Sequence, residues 1–91
     1  MLNDGETVQI LKVGYGNFVN KEKVVAITSV DSAPIKRIIS EAKEKGLLID
    51  TTKGRKTGSV IIAESGHIIL SYMKPEDLQD EFSSKSEGNQ S

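Results

Sequence analysis

Residues 50–59, Asp-Thr-Thr-Lys-Gly-Arg-Lys-Thr-Gly-Ser, gather the side chains best suited to chemistry in this chain. Lys53, Arg55 and Lys56 supply three cations with no carboxylate between them, Gly54 and Gly58 free the backbone, and Thr51, Thr52 and Thr57 add hydroxyls. Cations, hydroxyls and accessible turn amides are the groups that contact phosphate. Apolar runs flank the stretch, Gly46-Leu47-Leu48-Ile49 before it and Val60-Ile61-Ile62-Ala63 after it. It therefore reads as an exposed basic loop on a rigid support.

Other chemistry finds little here. Gly54-Arg55-Lys56-Thr57 is superficially like a nucleotide-cradling loop, but that motif needs a longer glycine spacing and must run into a helix, whose amides and dipole hold the phosphates. Here it runs into β-branched residues. His67 is the only histidine and stands at a hairpin end, where a polar strand residue is the ordinary reading. With no cysteine there is neither a disulfide nor a thiolate metal site. We expect no metal, no cofactor and no small-molecule substrate. For a basic triplet the ordinary reading is a solvated strand connection; crowding three cations within four residues, with no intervening acid, favours a polyanion instead. Tyr15 and Phe18 are too few to make a base-stacking platform for single-stranded RNA.

Charge is distributed unevenly. Residues 1–30 are balanced, residues 31–74 carry eight cations against five carboxylates, and the segment from Pro75 onward has five carboxylates against Lys85. The overall charge of −1 thus hides a basic middle and an acidic end, an asymmetry that hints at nucleic-acid contact. Ninety-one residues make one domain with a thin core, burying about 60 to 65% of the unfolded chain's surface. Association between copies is the remaining source of stability. The first residues carry acids where a signal peptide carries cations, and no apolar run reaches the roughly 18 residues of a membrane span. A cytoplasmic protein without membrane contact is expected.

The elements that position the loop follow from patterning. Val8 to Val13 partly alternates and predicts a strand ending at the turn Gly14-Tyr15-Gly16-Asn17. Phe18 to Ser29 continues as β-type sequence interrupted by Asn20-Lys21-Glu22-Lys23, with a strand beginning by Lys23 or Val24. Ser32 caps a helix over about 33–45 whose Ile35, Ile38, Ile39 and Ala42 share one face, and Gly46 ends it. Leu47-Leu48-Ile49 reads as a short strand. Ser59 to Ala63 and Ile68 to Tyr72 predict a hairpin through Glu64-Ser65-Gly66-His67, and Pro75 opens a short helix over about 75–82. The predicted fold is α/β of the α+β kind: a small, mostly antiparallel sheet of four to five strands, one amphipathic helix packed on it and a short C-terminal helix. Residues 1–82 form the domain and 83–91 a disordered tail.

Gly14-Tyr15-Gly16-Asn17, Ser32-Ala33-Pro34-Ile35-Lys36-Arg37, Leu48-Ile49-Asp50 with Thr52-x-Gly54-Arg55-Lys56-Thr57, His67-Ile68-Ile69-Leu70-Ser71 and Pro75-Glu76 resemble, in order and spacing, the RemA family of bacterial regulators. The resemblance runs from about Leu11 to about Leu78. It implies a DNA-binding protein that controls biofilm extracellular-matrix genes and assembles as a ring carrying basic residues for double-stranded DNA, hence a nucleoid-associated protein. It also implies DNA-binding roles for Lys23, Arg55, Lys56 and Thr57, to which the composition of the basic loop adds Lys53. The family loop typically reads Gly-Arg-Arg-Thr-Arg, whereas this chain has Lys56 for the second arginine and Gly58 for the last; Lys23 stands where a further DNA-linked arginine is found. Lysine keeps the charge but gives up the planar fork, so weaker or less discriminating binding is expected. The alternatives are a non-enzymatic oligomeric or protein-interaction module and, more distantly, a nucleotide-binding enzyme.

Overall fold

The computed structural model describes residues 9–83, and in it the β-branched runs form two sheets. In chain order the elements are β1 (Ile10–Gly14), β2 (Asn17–Asn20), a 3-10 turn (Lys21–Lys23), β3 (Val24–Ser29), α1 (Ala33–Lys45), β4 (Leu48–Asp50), β5 (Ser59–Ala63), β6 (Ile68–Ser71) and α2 (Pro75–Ser83). The main sheet has the order β3-β5-β6-β4, antiparallel except for the β4–β6 pair. β1 and β2 pair only with each other. The mixed α+β architecture and both helices agree with the sequence expectation.

The sheet is apolar in both directions, which explains why β5 and β6 read as continuous apolar runs instead of alternating ones. Val60, Ile68 and Leu70 face α1, whose Ala42 and half-buried Ile35, Ile38 and Ile39 pack on them. Ile61 and Ile69 face the other way, against Leu11 and Val13 of β1 and Leu78 of α2. The result is three layers, with α1 on one side and the β1–β2 hairpin and α2 on the other. Ser71 Oγ ties the layers together by donating to the Val13 carbonyl at 2.7 Å.

α1 begins and ends as its sequence dictates. Ser32 Oγ accepts from the Ile35 amide at 3.3 Å. Gly46 takes φ +74, a conformation costly for other residues, and Leu47 N donates to Ala42 O at 2.8 Å to close the helix. The polar interruption at 20–23 proves to be a 3-10 turn, started by Asn20 Oδ1 accepting from the Glu22 amide at 3.0 Å. It separates β2 from β3, so the stretch from Phe18 to Ser29 supplies strands to two different sheets. Along β3 the register slips between Val24 and Ala26, and Val25 bulges outward with 66% exposure. α2 extends to Ser83. Val8 at the predicted start of β1 lies outside the described residues, as does the predicted disordered tail 83–91 apart from Ser83, which is the last residue of α2 and so helical.

Strand directions sort the loops between two ends of the sheet. β3 and β6 finish, and β5 starts, at the end that carries the 51–58 loop. α1 and α2 both begin close to that end, since each follows directly from β3 or β6. Replacing the fully buried Ile61 (0% exposed) with Ala should cost about 2–5 kcal/mol, read from a urea midpoint. Val25→Ala on the exposed bulge should change stability by less than about 0.5 kcal/mol.

Candidate nucleic-acid interface

The basic loop is built on two tight turns. Asp50 Oδ1 accepts from the Thr52 hydroxyl at 2.6 Å and from the Thr52 amide at 2.9 Å, which starts the loop. Arg55 N then donates to Thr52 O at 3.0 Å around Lys53 (φ +53) and Gly54 (φ +83). Two consecutive left-handed residues inside such a bond are the geometry of a type I′ turn. Thr51 and Thr52 are buried, and the Thr51 amide and hydroxyl both donate to Leu70 O, at 3.0 and 2.7 Å. The threonine hydroxyls at the loop's start therefore serve the fold, while Lys53, Arg55 and Lys56 are exposed.

Arg55 has support that the sequence reading missed. Its Nη1 donates to the Tyr15 hydroxyl at 3.3 Å, and its guanidinium lies 4.9 Å from the centre of the Tyr72 ring. The two rings are 5.1 Å apart and tilted by 52°. Lys53 Nζ is 5.5 Å from the centre of the Tyr15 ring. Tyr15 itself sits at φ +53 beside Gly16 at φ +77, a second type I′ turn, which brings the β1–β2 hairpin tip down onto the loop. A Cβ on Gly14 would run into the Tyr72 ring, so this glycine makes room for the aromatic pair. Four aromatics in the chain gave little hint of this; the available signal was Tyr72 at the end of a strand whose register places it beside the loop.

Beyond Arg55 the chain forms one wall of an open groove of about 540 Å³, to which Lys56, Thr57, Tyr72 and Lys74 contribute along with the acidic Asp31 and Glu76. Lys74 was not among the sequence candidates. Gly58 is sterically fixed here: a Cβ would lie 2.6 Å from the carbonyl oxygens of Tyr72 and Met73. Its amide donates to Ser71 O at 2.8 Å, and the neighbouring Ser59 hydroxyl donates to Met73 O at 2.6 Å.

Lys23 lies elsewhere. Glu64 N donates to Lys23 O at 2.8 Å, beside the Val24–Ala63 pair, at the far end of β5 from the loop. The four residue steps of β5 alone put about 14 Å between those ends. Its Nζ is 3.1 Å from Glu64 Oε1, and both side chains are exposed. Lys53, Arg55, Lys56 and Thr57 are thus brought together, and Lys23 is set apart from them with a carboxylate partner. Among the described residues no cluster of His, Asp and Glu could hold a metal ion, and no helix is long and apolar enough to cross a membrane.

The Thr52 hydroxyl, and then its amide, hold the Asp50 carboxyl below its ordinary pKa. A lowered native pKa gives stability that is complete above about pH 4 and lost as pH falls through the lowered value. Acid destabilisation below about pH 4, followed by thermal melting, should therefore be smaller in Asp50→Asn. Gly58→Ala should cost about 1–3 kcal/mol because two backbone carbonyls must move; an unchanged melting temperature would contradict the close approach.

Comparison with known proteins places this geometry in a family. The RemA-like family, described as extracellular matrix regulatory protein A-like, matches residues 10–82. A regulatory protein of Cyanothece is 53% identical over 75 residues, 82% of each chain. A regulatory protein of Clostridium novyi is 49% identical over 83 residues, 91% of this chain and 92% of its own. One from Alkaliphilus metalliredigens is 50% identical over 78 residues, covering 86% and 84% respectively. The matched region takes in every described strand and both turns that hold Arg55, and on this ground the chain belongs to the RemA-like family of regulatory proteins.

Proposed function

We propose that this protein is a DNA-binding transcriptional regulator that contacts duplex DNA through repeated copies of the 53–57 loop in a ring-shaped homo-oligomer, and that it acts in the cytoplasm on the nucleoid to control biofilm matrix genes. The observation that carries the reading is the concentration of Lys53, Arg55, Lys56 and Lys74 at one end of the sheet, with Arg55 free of any carboxylate partner among the described residues. Lys36 and Arg37 near the start of α1 add cations toward the same end, and the N-terminus of α1, with no acid in its first turn, directs a positive dipole end there, whereas Glu76 and Asp77 offset the dipole at the start of α2. Phosphate is the ligand such an end favours. The family description, extracellular matrix regulatory protein A-like, supports a regulatory role, and control of matrix genes extends that description as part of the proposal.

One loop is a weak contact. Three neutralised phosphates give a salt slope of roughly −3, little for a single protomer. Repetition in an assembly raises the effective concentration of each further loop. Exposed apolar side chains at opposite edges of the main sheet favour assembly: Val25 and Phe82 beside β3, Ile49 and Phe18 beside β4. Two different patches make a head-to-tail contact, and head-to-tail contacts close into rings when the rotation allows. Lys23 joins the interface only if its Glu64 pair opens or is shared with phosphate.

A salt titration of duplex binding tests the reading. Arg55→Ala should lower affinity and make the slope shallower by about 1 per engaged loop; unchanged affinity and slope would remove the loop from the mechanism. Glu64→Gln should strengthen binding by freeing Lys23. Solution mass should report an oligomer that Ile49→Asp dissociates, with DNA affinity falling alongside; a stable wild-type monomer that binds tightly would refute the avidity argument.

A further inference from the structure

We infer that Tyr15 and Tyr72 are positioning residues for Arg55, holding its guanidinium as an oriented fork that makes bidentate contact with paired acceptors on duplex DNA. This rests on the DNA-binding reading above and adds a division of labour within the loop. Lys56 acts as a point charge, Lys53 as a point charge resting 5.5 Å from the centre of the Tyr15 ring, and Arg55 through the geometry of its fork.

The structure gives Arg55 what a mobile surface arginine lacks. One N–H is committed to the Tyr15 hydroxyl at 3.3 Å, and the guanidinium packs 4.9 Å from the Tyr72 ring centre. Together these restrict both the direction and the tilt of the guanidinium. Only one of its five donors is used in the Tyr15 bond, leaving an edge able to meet two acceptors at once. The platform is itself held: Gly14 leaves space that a Cβ would take from the Tyr72 ring, and Ser71, next to Tyr72, is anchored to Val13 of the hairpin. Tyr15 reaches Arg55 because its turn adopts two left-handed residues at the hairpin tip. Holding the fork beforehand reduces the rotamer freedom lost on each contact. Because the charge is unaffected, the effect belongs in dissociation rate and not in the salt slope.

The paired acceptors are two phosphate oxygens or the O6 and N7 edge of guanine, which present similar geometry to an arginine. Two duplexes, alternating dA·dT and alternating dG·dC, separate them. Using the full chain, Tyr72→Leu should weaken binding about three- to fivefold, the scale of an exposed cation–π contact, with faster dissociation and an unchanged salt slope. Loss on both duplexes assigns the fork to phosphate, and loss confined to dG·dC assigns it to guanine. Tyr72→Phe, which keeps the ring, should bind as wild type. Tyr15→Phe, which removes only the hydroxyl, should show a smaller loss with the same melting temperature. In an Arg55→Lys background Tyr72→Leu should cost nothing further. An undiminished effect in that background, or wild-type binding by Tyr72→Leu while Arg55→Ala binds poorly, overturns the positioning role alone. Wild-type binding by Arg55→Ala overturns the DNA-binding reading and the positioning role with it.

Discussion

Burial of β5 and β6 on both faces is the constraint on which the rest of the molecule depends. Ile61 and Ile69 must be covered on one side and Val60, Ile68 and Leu70 on the other. A single helix can cover only one side. The β1–β2 hairpin and α2 are therefore obligatory, and once the hairpin lies on the sheet its tip reaches the end where the basic loop emerges. The aromatic support of Arg55 is thus a by-product of how a thin core is closed. A chain of 91 residues uses one packing solution both to complete its interior and to stiffen its exposed charge.

Much of this was legible in the sequence where the signal is local. The Ile35, Ile38, Ile39 and Ala42 spacing, the Ser32 cap and Gly46 mark α1 because each depends on residues within a turn or two. The β5–β6 hairpin and the start of α2 at Pro75 are legible for the same reason. What could not be read depends on packing between distant segments. Phe18 and Val24 look like parts of one β-type stretch, yet the 3-10 turn between them sends the two strands to different sheets. Lys23 and Arg55 are both cations of the basic half, but strand direction puts them at opposite ends of β5. Tyr15 and Tyr72 are 57 positions apart in the sequence, and only the docked hairpin brings their rings together.

Lys23, Lys56 and Gly58, the three positions at which the sequence resemblance leads one to expect arginine, have different physical settings in the structure. Gly58 is packed against two carbonyl oxygens, so in this backbone it is a fitting requirement as well as a missing charge. Lys56 lines an open groove that also contains Asp31 and Glu76, so its ammonium stands among carboxylates as well as cations and offers a point charge without the planar fork. Lys23, just before β3, is paired with Glu64, just after β5; an exposed pair of this kind contributes about 0–1 kcal/mol to stability, so its significance is electrostatic. It mutes one cation at the far end and leaves the loop end dominant.

The bulge at Val25 bears on how copies of the chain can meet. A regular edge strand offers its unpaired amides and carbonyls to any other edge, and sheets joined that way extend without a natural stopping point. Here the ladder of β3 is broken near its start, at a residue whose side chain points into solvent. Backbone-to-backbone zippering along this edge is interrupted, which leaves side-chain shape to govern the angle of approach. Whether the rotation set by that angle closes on itself is what separates a particle of finite size from a fibre.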